Sequence, residues 1–353
     1  MPSPGPHLRD GAPVIEPVFL DLSNGRGHTA RLTNHGARLV EMWVPDRGGV
    51  PADVTLGFDT ISDYEGHRGL YLGCTIGRVA NRIGNSSFTL GGTTYRLAPN
   101  DGPHHLHGGP DRSFDRVMWA VEAIEEGPRG GRSVRFGYVS PDGEEGYPGT
   151  LSVAVTYALT DAGELSIDYR ATTDRATPVS MTNHAYWNLG GAGEGTVLEH
   201  ELWLDASHYT PVGDGLIPTG EIAPVEGTPV DFRVPRLIGE RIGELAATPA
   251  LGYDHNMVLD ARNGELRPAA RLRHPPTGRV LEVLTTEPAI QFYSGNQIVP
   301  VAGKAGRTIE RFGGLCLEAQ QFPDAVNQPG FPPVILGPGR EYRQTTVYRF
   351  SAM

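Results

Sequence analysis

Apolar and polar residues alternate with a period of two through much of the chain. Gly, Pro, Asn and Asp cut the alternation at short intervals. Period two sends successive side chains to opposite faces of a strand, so such a chain folds into sheets with one face in a core. Residues 87–97 (SFTLGGTTYRL) predict a hairpin turning at Gly91-Gly92, a dipeptide suited to positive φ at both turn positions. Residues 151–173 predict a second hairpin, turning at 161–163, and residues 271–286 a third, turning at 275–278. VMWAVEAI, SVRFGYVS, HELWLDAS and TTVYRFS read as further strands. Helical periodicity is scarce, and IGERIGELAA (residues 238–247) is its best candidate. Strands at this spacing predict an all-β protein, a sandwich or a barrel, with few short helices.

The 353 residues suffice for a large core, and no repeat, low-complexity block or charged linker divides them. The expectation is one domain over residues 13–353, preceded by a loose Pro/Gly-rich tail over 1–12. The 47 glycines and 30 prolines are spread along the chain and read as turn punctuation. The net charge of −11 argues against nucleic acid, an anionic membrane surface or a heavily phosphorylated substrate. A neutral small molecule suits it better. Cys74 and Cys316 form no metal-ligand spacing and read as two buried, reduced thiols, with a single disulfide as the alternative. The N-terminus lacks a basic start followed by an apolar stretch, and no run approaches a membrane span. The expected location is the cytoplasm.

Five segments carry polar chemistry. In GRVANRIGN (77–85), Arg78 and Arg82 read as solvated loop residues, or Asn81 and Arg82 as hydrogen-bond donors to substrate oxygens. NDGPHHLHGG (100–109) holds three histidines in four positions, and an extended backbone would put His105 and His107 on one face. No zinc spacing and no nearby carboxylate completes a metal site there. The glycines after His107 suggest a backbone packed close to a ligand. In TNHAYWNL (182–189), His184 is either a satisfied core histidine or a catalytic imidazole among aromatic rings. Asp254, in LGYDHNMVL (251–259), caps a turn or accepts sugar hydroxyls. In GLCLEAQQFPDAVNQPGFPP (313–333), Glu318 interrupts an apolar strand. It either faces outward or is a desolvated carboxylate with a raised pKa, fit to act as a base. Together these segments offer neutral donors and acceptors, imidazoles and aromatics, a character that suits a neutral polyol.

These segments, in this order, resemble the aldose 1-epimerases (galactose mutarotases). GRVANRI, LHGG, SPDGEEGYPG, TNHAYWNL, DHN, QFYSGN and PDAVNQPGFPP carry the resemblance from about Gly36 to the C-terminus. It implies a large antiparallel β-sandwich, no cofactor and no metal, and a free monosaccharide as the partner of a monomer or weak homodimer. It implies that His184 is the acid and Glu318 the base. Asn81, Arg82, His107, Tyr186, Asp254 and Gln291 match positions that hold the sugar. Tyr253 and Trp187 stand where phenylalanine is common in the family, which bears on substrate preference.

Anomers interconvert when the ring opens and recloses on the other face of C1. That requires a proton taken from the C1 hydroxyl and one given to the ring oxygen, which one base and one acid supply. The competing expectations are a glycoside hydrolase using Glu318 and Asp254 as its two carboxylates, a non-catalytic sugar-binding module, and a sugar-phosphate epimerase of related fold.

Overall fold

The computed structural model describes residues 15–126, 131–260 and 264–353. The tail expected over 1–12 lies outside them. The architecture is an all-β antiparallel sandwich. A nine-stranded sheet runs in the order Ala120–Glu126, Arg132–Ser140, Leu151–Leu159, Glu164–Thr173, Tyr342–Ala352, Arg279–Thr285, Arg267–Arg273, Glu201–Leu204, Arg236–Leu237. A six-stranded sheet runs in the order Tyr186–Trp187, Leu315–Gln320, Ala289–Tyr293, Asp254–Val258, His208–Thr210, Ala223–Pro224. A third sheet takes the N-terminal strands Phe19–Ser23, Thr29–Thr33, Arg38–Pro45 and Pro51–Asp53.

One apolar core joins all three sheets. The nine-stranded sheet contributes Val153, Val155, Ile167, Leu281 and Val283, and the N-terminal sheet Leu32, Leu39 and Met42. Met257, Ile290, Phe292, Leu315 and Leu317 come from the six-stranded sheet. Each fully buried Leu, Ile or Phe contributes about 1.5–3 kcal/mol. The C-terminal strand Tyr342–Ala352 lies in the middle of the largest sheet, between Glu164–Thr173 and Arg279–Thr285. Chain closure is therefore made by long-range pairing.

The three predicted hairpins are present. Ser87–Leu90 pairs with Thr93–Arg96 around Gly91 and Gly92, both at positive φ. Leu151–Leu159 pairs with Glu164–Thr173, and Arg267–Arg273 with Arg279–Thr285. The predicted helix over 238–247 is not α-helical. It forms two 3-10 turns, Ile238–Glu240 and Ile242–Leu245, which bury Ile238 and Leu245. Gly239 and Gly243 each weaken a helix by about 1 kcal/mol relative to Ala, so only the apolar anchors survive. Among the described residues one α-helix occurs, Ile61–Gly66, capped by the Thr60 side chain accepting from the Asp63 amide. None of their helices is long and apolar enough to cross a membrane.

Candidate active site

The strand Leu315–Gln320 is buried along its whole length, yet its two faces differ in chemistry. Leu315 and Leu317 point into the main core. Cys316, Glu318 and Gln320 therefore share the opposite face, by the alternation of the strand. Glu318 is only 2% exposed, and its Oε2 has no hydrogen-bond partner within the protein. Gln320, next on that face, has neither amide atom paired. Gln291 lies directly across from Glu318 on the strand Ala289–Tyr293, and its Oε1 is also buried without a partner. Unmatched buried polar atoms are costly, about 1–3 kcal/mol each, so a row of them marks a surface built for a polar ligand.

His184 sits between the short strands Thr182–Asn183 and Tyr186–Trp187. Its amide donates to the Cys74 carbonyl at 2.9 Å, and its carbonyl accepts from the Gly73 amide at 2.9 Å. The Asn183 side chain donates to the Gly73 carbonyl and accepts from the Ala185 amide, which fixes the bend. The imidazole Nε2 then lies 3.6 Å from Glu318 Oε1. Tyr186 packs against the ring at 5.0 Å between centroids.

His107 completes the group. Its φ of 53° takes it out of extended backbone, so it does not share a face with His105 as the sequence suggested. His105 packs on Tyr147, whereas His107 meets the His184 ring edge-on at 5.2 Å. The turn closes tightly because a Cβ on Gly108 would collide with the Gly77 carbonyl. That glycine thus serves a backbone contact, not the ligand contact expected for it. Asn81 donates its backbone amide to His107 Nδ1 at 3.2 Å, and its side-chain oxygen accepts from the Arg82 amide. Arg82 is buried and donates to Asp101 at 2.7 Å. Arg78 is not solvated either. It is a structural staple, donating to Ser140 and to the carbonyls of Pro141, Pro148 and Gly149.

Asp254 lies beside Tyr293 in register and accepts from the Gln291 side chain at 2.7 Å. Together these contacts place Asp254, Gln291, Glu318, His184, His107 and Tyr186 around one surface, with Asn81 and Arg82 at its rim. Two predicted sources of specificity lie elsewhere. Trp187 is fully buried against Tyr348 and Phe350, and Tyr253 packs on Phe232 and Phe292, so both belong to the core. One neighbour escaped sequence reasoning. Tyr71, at φ 51°, lays its ring 4.7 Å from His107 and 5.8 Å from His184. No local pattern signals a tyrosine in that conformation.

Electrostatics follow burial. Desolvation, then the Asp254 charge, pushes Glu318 well above the carboxylate range, and Arg82 opposes the shift. Desolvation, with a smaller push from Arg38, lowers His184 to about 4. Burial and the neighbouring His184 and Arg82 hold His107 well below its ordinary value. Ligand atoms of His107, His184 and Glu318 lie within 4.8 Å of one another, and the carboxylate missing from the local sequence arrives from the far end of the chain. The Asn81 amide nonetheless occupies His107 Nδ1, which leaves the neutral ring its proton on Nε2. That nitrogen is a donor suited to a sugar oxygen, whereas a metal needs its lone pair. A crevice of about 480 Å³ near Tyr138, Arg135 and Arg170 gathers no comparable set of buried groups, so convergent chemistry rather than volume selects the site.

Known proteins resemble this chain along nearly its whole length. The aldose 1-epimerase family profile matches residues 19–349. Human galactose mutarotase is 44% identical over 352 residues, covering 96% of this chain and 99% of the relative. Escherichia coli aldose 1-epimerase is 38% identical over 346 residues, covering 97% of each. The crystal structure of an aldose epimerase homologue from C. elegans superposes with a TM-score of 0.87 at 35% identity, over 96% of this chain and 99% of that one. The chain belongs to the aldose 1-epimerase family.

Proposed function

We propose that this protein interconverts the α and β anomers of free aldohexoses of the glucose and galactose type, with Glu318 as base and His184 as acid. The supporting observation is the approach of His184 Nε2 to Glu318 Oε1, 3.6 Å apart and both buried, on a surface of unpaired polar atoms. Glu318 takes the proton of the C1 hydroxyl while Nε2 of His184 gives one to the ring oxygen. The bond between C1 and the ring oxygen breaks, leaving an open-chain aldehyde. After rotation about C1–C2 the same two groups run the steps in reverse and close the other anomer. His107 and Arg82 donate to the ring oxygen and nearby hydroxyls. Asp254 and Gln291 orient the remaining hydroxyls, and Tyr186 offers an apolar face.

The pair carries one proton across the neutral range, a property of both groups together. Burial favours the uncharged arrangement, with that proton on Glu318. Turnover uses the same proton count with the proton on the imidazole, so bound sugar, with its hydroxyls on Asp254 and Arg82, must favour the charged arrangement.

Polarimetry of freshly dissolved α-glucose, α-galactose, xylose and arabinose tests the reading. Rotation of the two hexoses should reach equilibrium faster than in buffer, the two pentoses mark the limit of the substrate class, and oligosaccharides should stay intact. Decay at the buffer rate with sugar bound would instead identify a binding module.

A further inference from the structure

The strand Leu315–Gln320 brackets the His184 imidazole from both ends. Glu318 Oε1 lies 3.6 Å from Nε2. Cys316 Sγ, two residues back on the same face, lies 3.4 Å from Nδ1. Side chains two apart on one face of a strand are separated by about 6.6–6.8 Å, which matches a ring held between them. Cys316 is fully buried, is not disulfide-bonded to Cys74, and packs in one cluster with Tyr186, its partner across the strand pair. The sulfur is therefore fixed against the ring.

We propose that Cys316 is a positioning residue for His184, its sulfur accepting from Nδ1–H in both the protonated and the neutral ring. This rests on the reading of His184 as the acid. A neutral imidazole has one N–H, and a sulfur accepting from Nδ1 keeps that proton on Nδ1 and leaves the lone pair of Nε2 facing the sugar. The second proton therefore enters and leaves at Nε2, given to the ring oxygen on opening and taken back on closing. A backbone carbonyl at Nδ1 would accept more strongly and hold the imidazolium more firmly than a thiol does. A carboxylate there would favour the imidazolium and make it a weaker acid. Burial and the Glu318 charge hold the Cys316 thiol well above its ordinary value, so it stays uncharged and does not hold the imidazolium as a thiolate would. The other groups facing the ring are Glu318, His107, Tyr71, Tyr186 and the Arg38 charge.

The test joins ¹⁵N NMR of the His184 ring with kinetics of Cys316→Ala and Cys316→Ser in the full-length protein. The neutral ring in wild type should show the Nδ1–H tautomer. Cys316→Ala should mix the tautomers, lower kcat about 10–100-fold, the loss typical when a histidine's orienting partner is removed, and leave KM nearly unchanged. Cys316→Ser, whose hydroxyl oxygen also accepts, should restore the tautomer and most of kcat and its pH profile. Wild-type kcat, pH profile and tautomer in Cys316→Ala would overturn the proposal. So would a serine variant as impaired as the alanine one, or an Nε2–H tautomer in wild type. The NMR needs no turnover. A wild-type protein that does not speed mutarotation therefore sinks the catalytic reading alone, while the tautomer still decides the role of Cys316.

Discussion

Glu318 owes its chemistry to phase. It falls on the face of the strand that does not meet the main core, and it is buried there beside Cys316 and Gln320. A carboxylate after three apolar residues was a legible signal. The contrast between the two faces of a wholly buried strand was not, because exposure alone does not reveal it. His184 was harder to single out, since the chain holds twelve histidines. The HHLH cluster drew attention to His105 and His107 together, but the positive φ at His107 separates them. A pH profile tests the state of the pair. The rate constant kcat/KM reports the free protein. It should not decline near pH 6.5, where an ordinary histidine titrates, because His184 is lowered to about 4. Activity should fall on the alkaline side when the pair loses its last proton, above the ordinary carboxylate range. An acid limb centred near 6.5 would contradict a buried, uncharged His184.

At the scale of elements, turn chemistry was the most legible part of the chain. The hairpin at Gly91-Gly92 and those following Leu159 and Arg273 rest on local signals. The loops that bring site residues together rest on distant contacts, such as Gly108 against Gly77 and Arg78 against Pro148, so their shape could not be read locally. Two glycine substitutions separate these cases. Gly91→Ala meets open space and should cost only the left-handed backbone penalty, about 1–2 kcal/mol. Gly108→Ala adds a backbone collision at φ 89° and should cost more, while lowering kcat because His107 moves with the turn. Denaturant melts and polarimetry of both variants measure the difference. Equal stability and activity in the two would contradict the tight turn.

Across the whole molecule, burial of titratable groups couples stability to pH. His35, His105 and His184 are lowered to about 4 and His200 to about 3, chiefly by desolvation. Above pH 6.5 these rings are neutral whether the chain is folded or not. Below it the unfolded chain binds protons that the folded one refuses, so stability is lost as pH falls. Each ring loses up to about 1.4 kcal/mol per pH unit until its folded value is reached. Thermal melts should therefore drop steadily from pH 6.5 to 4.5. Glu287 works in the opposite sense. It is buried, raised to about 8, and accepts from Gln321 at 2.7 Å. From the ordinary carboxylate range up to pH 8 the unfolded chain releases a proton that the folded one keeps, so stability declines with rising pH. Glu287→Gln should remove that decline and melt higher than wild type at pH 8, with the gap closing near pH 4.5. A gap independent of pH would show that Glu287 is ionised in the fold. The sandwich itself follows from alternation and spacing, but the division into nine-, six- and four-stranded sheets follows from strand orders that no local pattern encodes.

The most direct test of the account is mutarotation of α-galactose followed by polarimetry with wild-type protein and with Glu318→Gln, alongside sugar binding by calorimetry. Wild type should accelerate the change in rotation. The variant should bind sugar nearly as well but lose about 10²–10⁴-fold in turnover, the usual worth of a positioned base. A variant that turns over sugar at close to the wild-type rate would show that Glu318 is not the base.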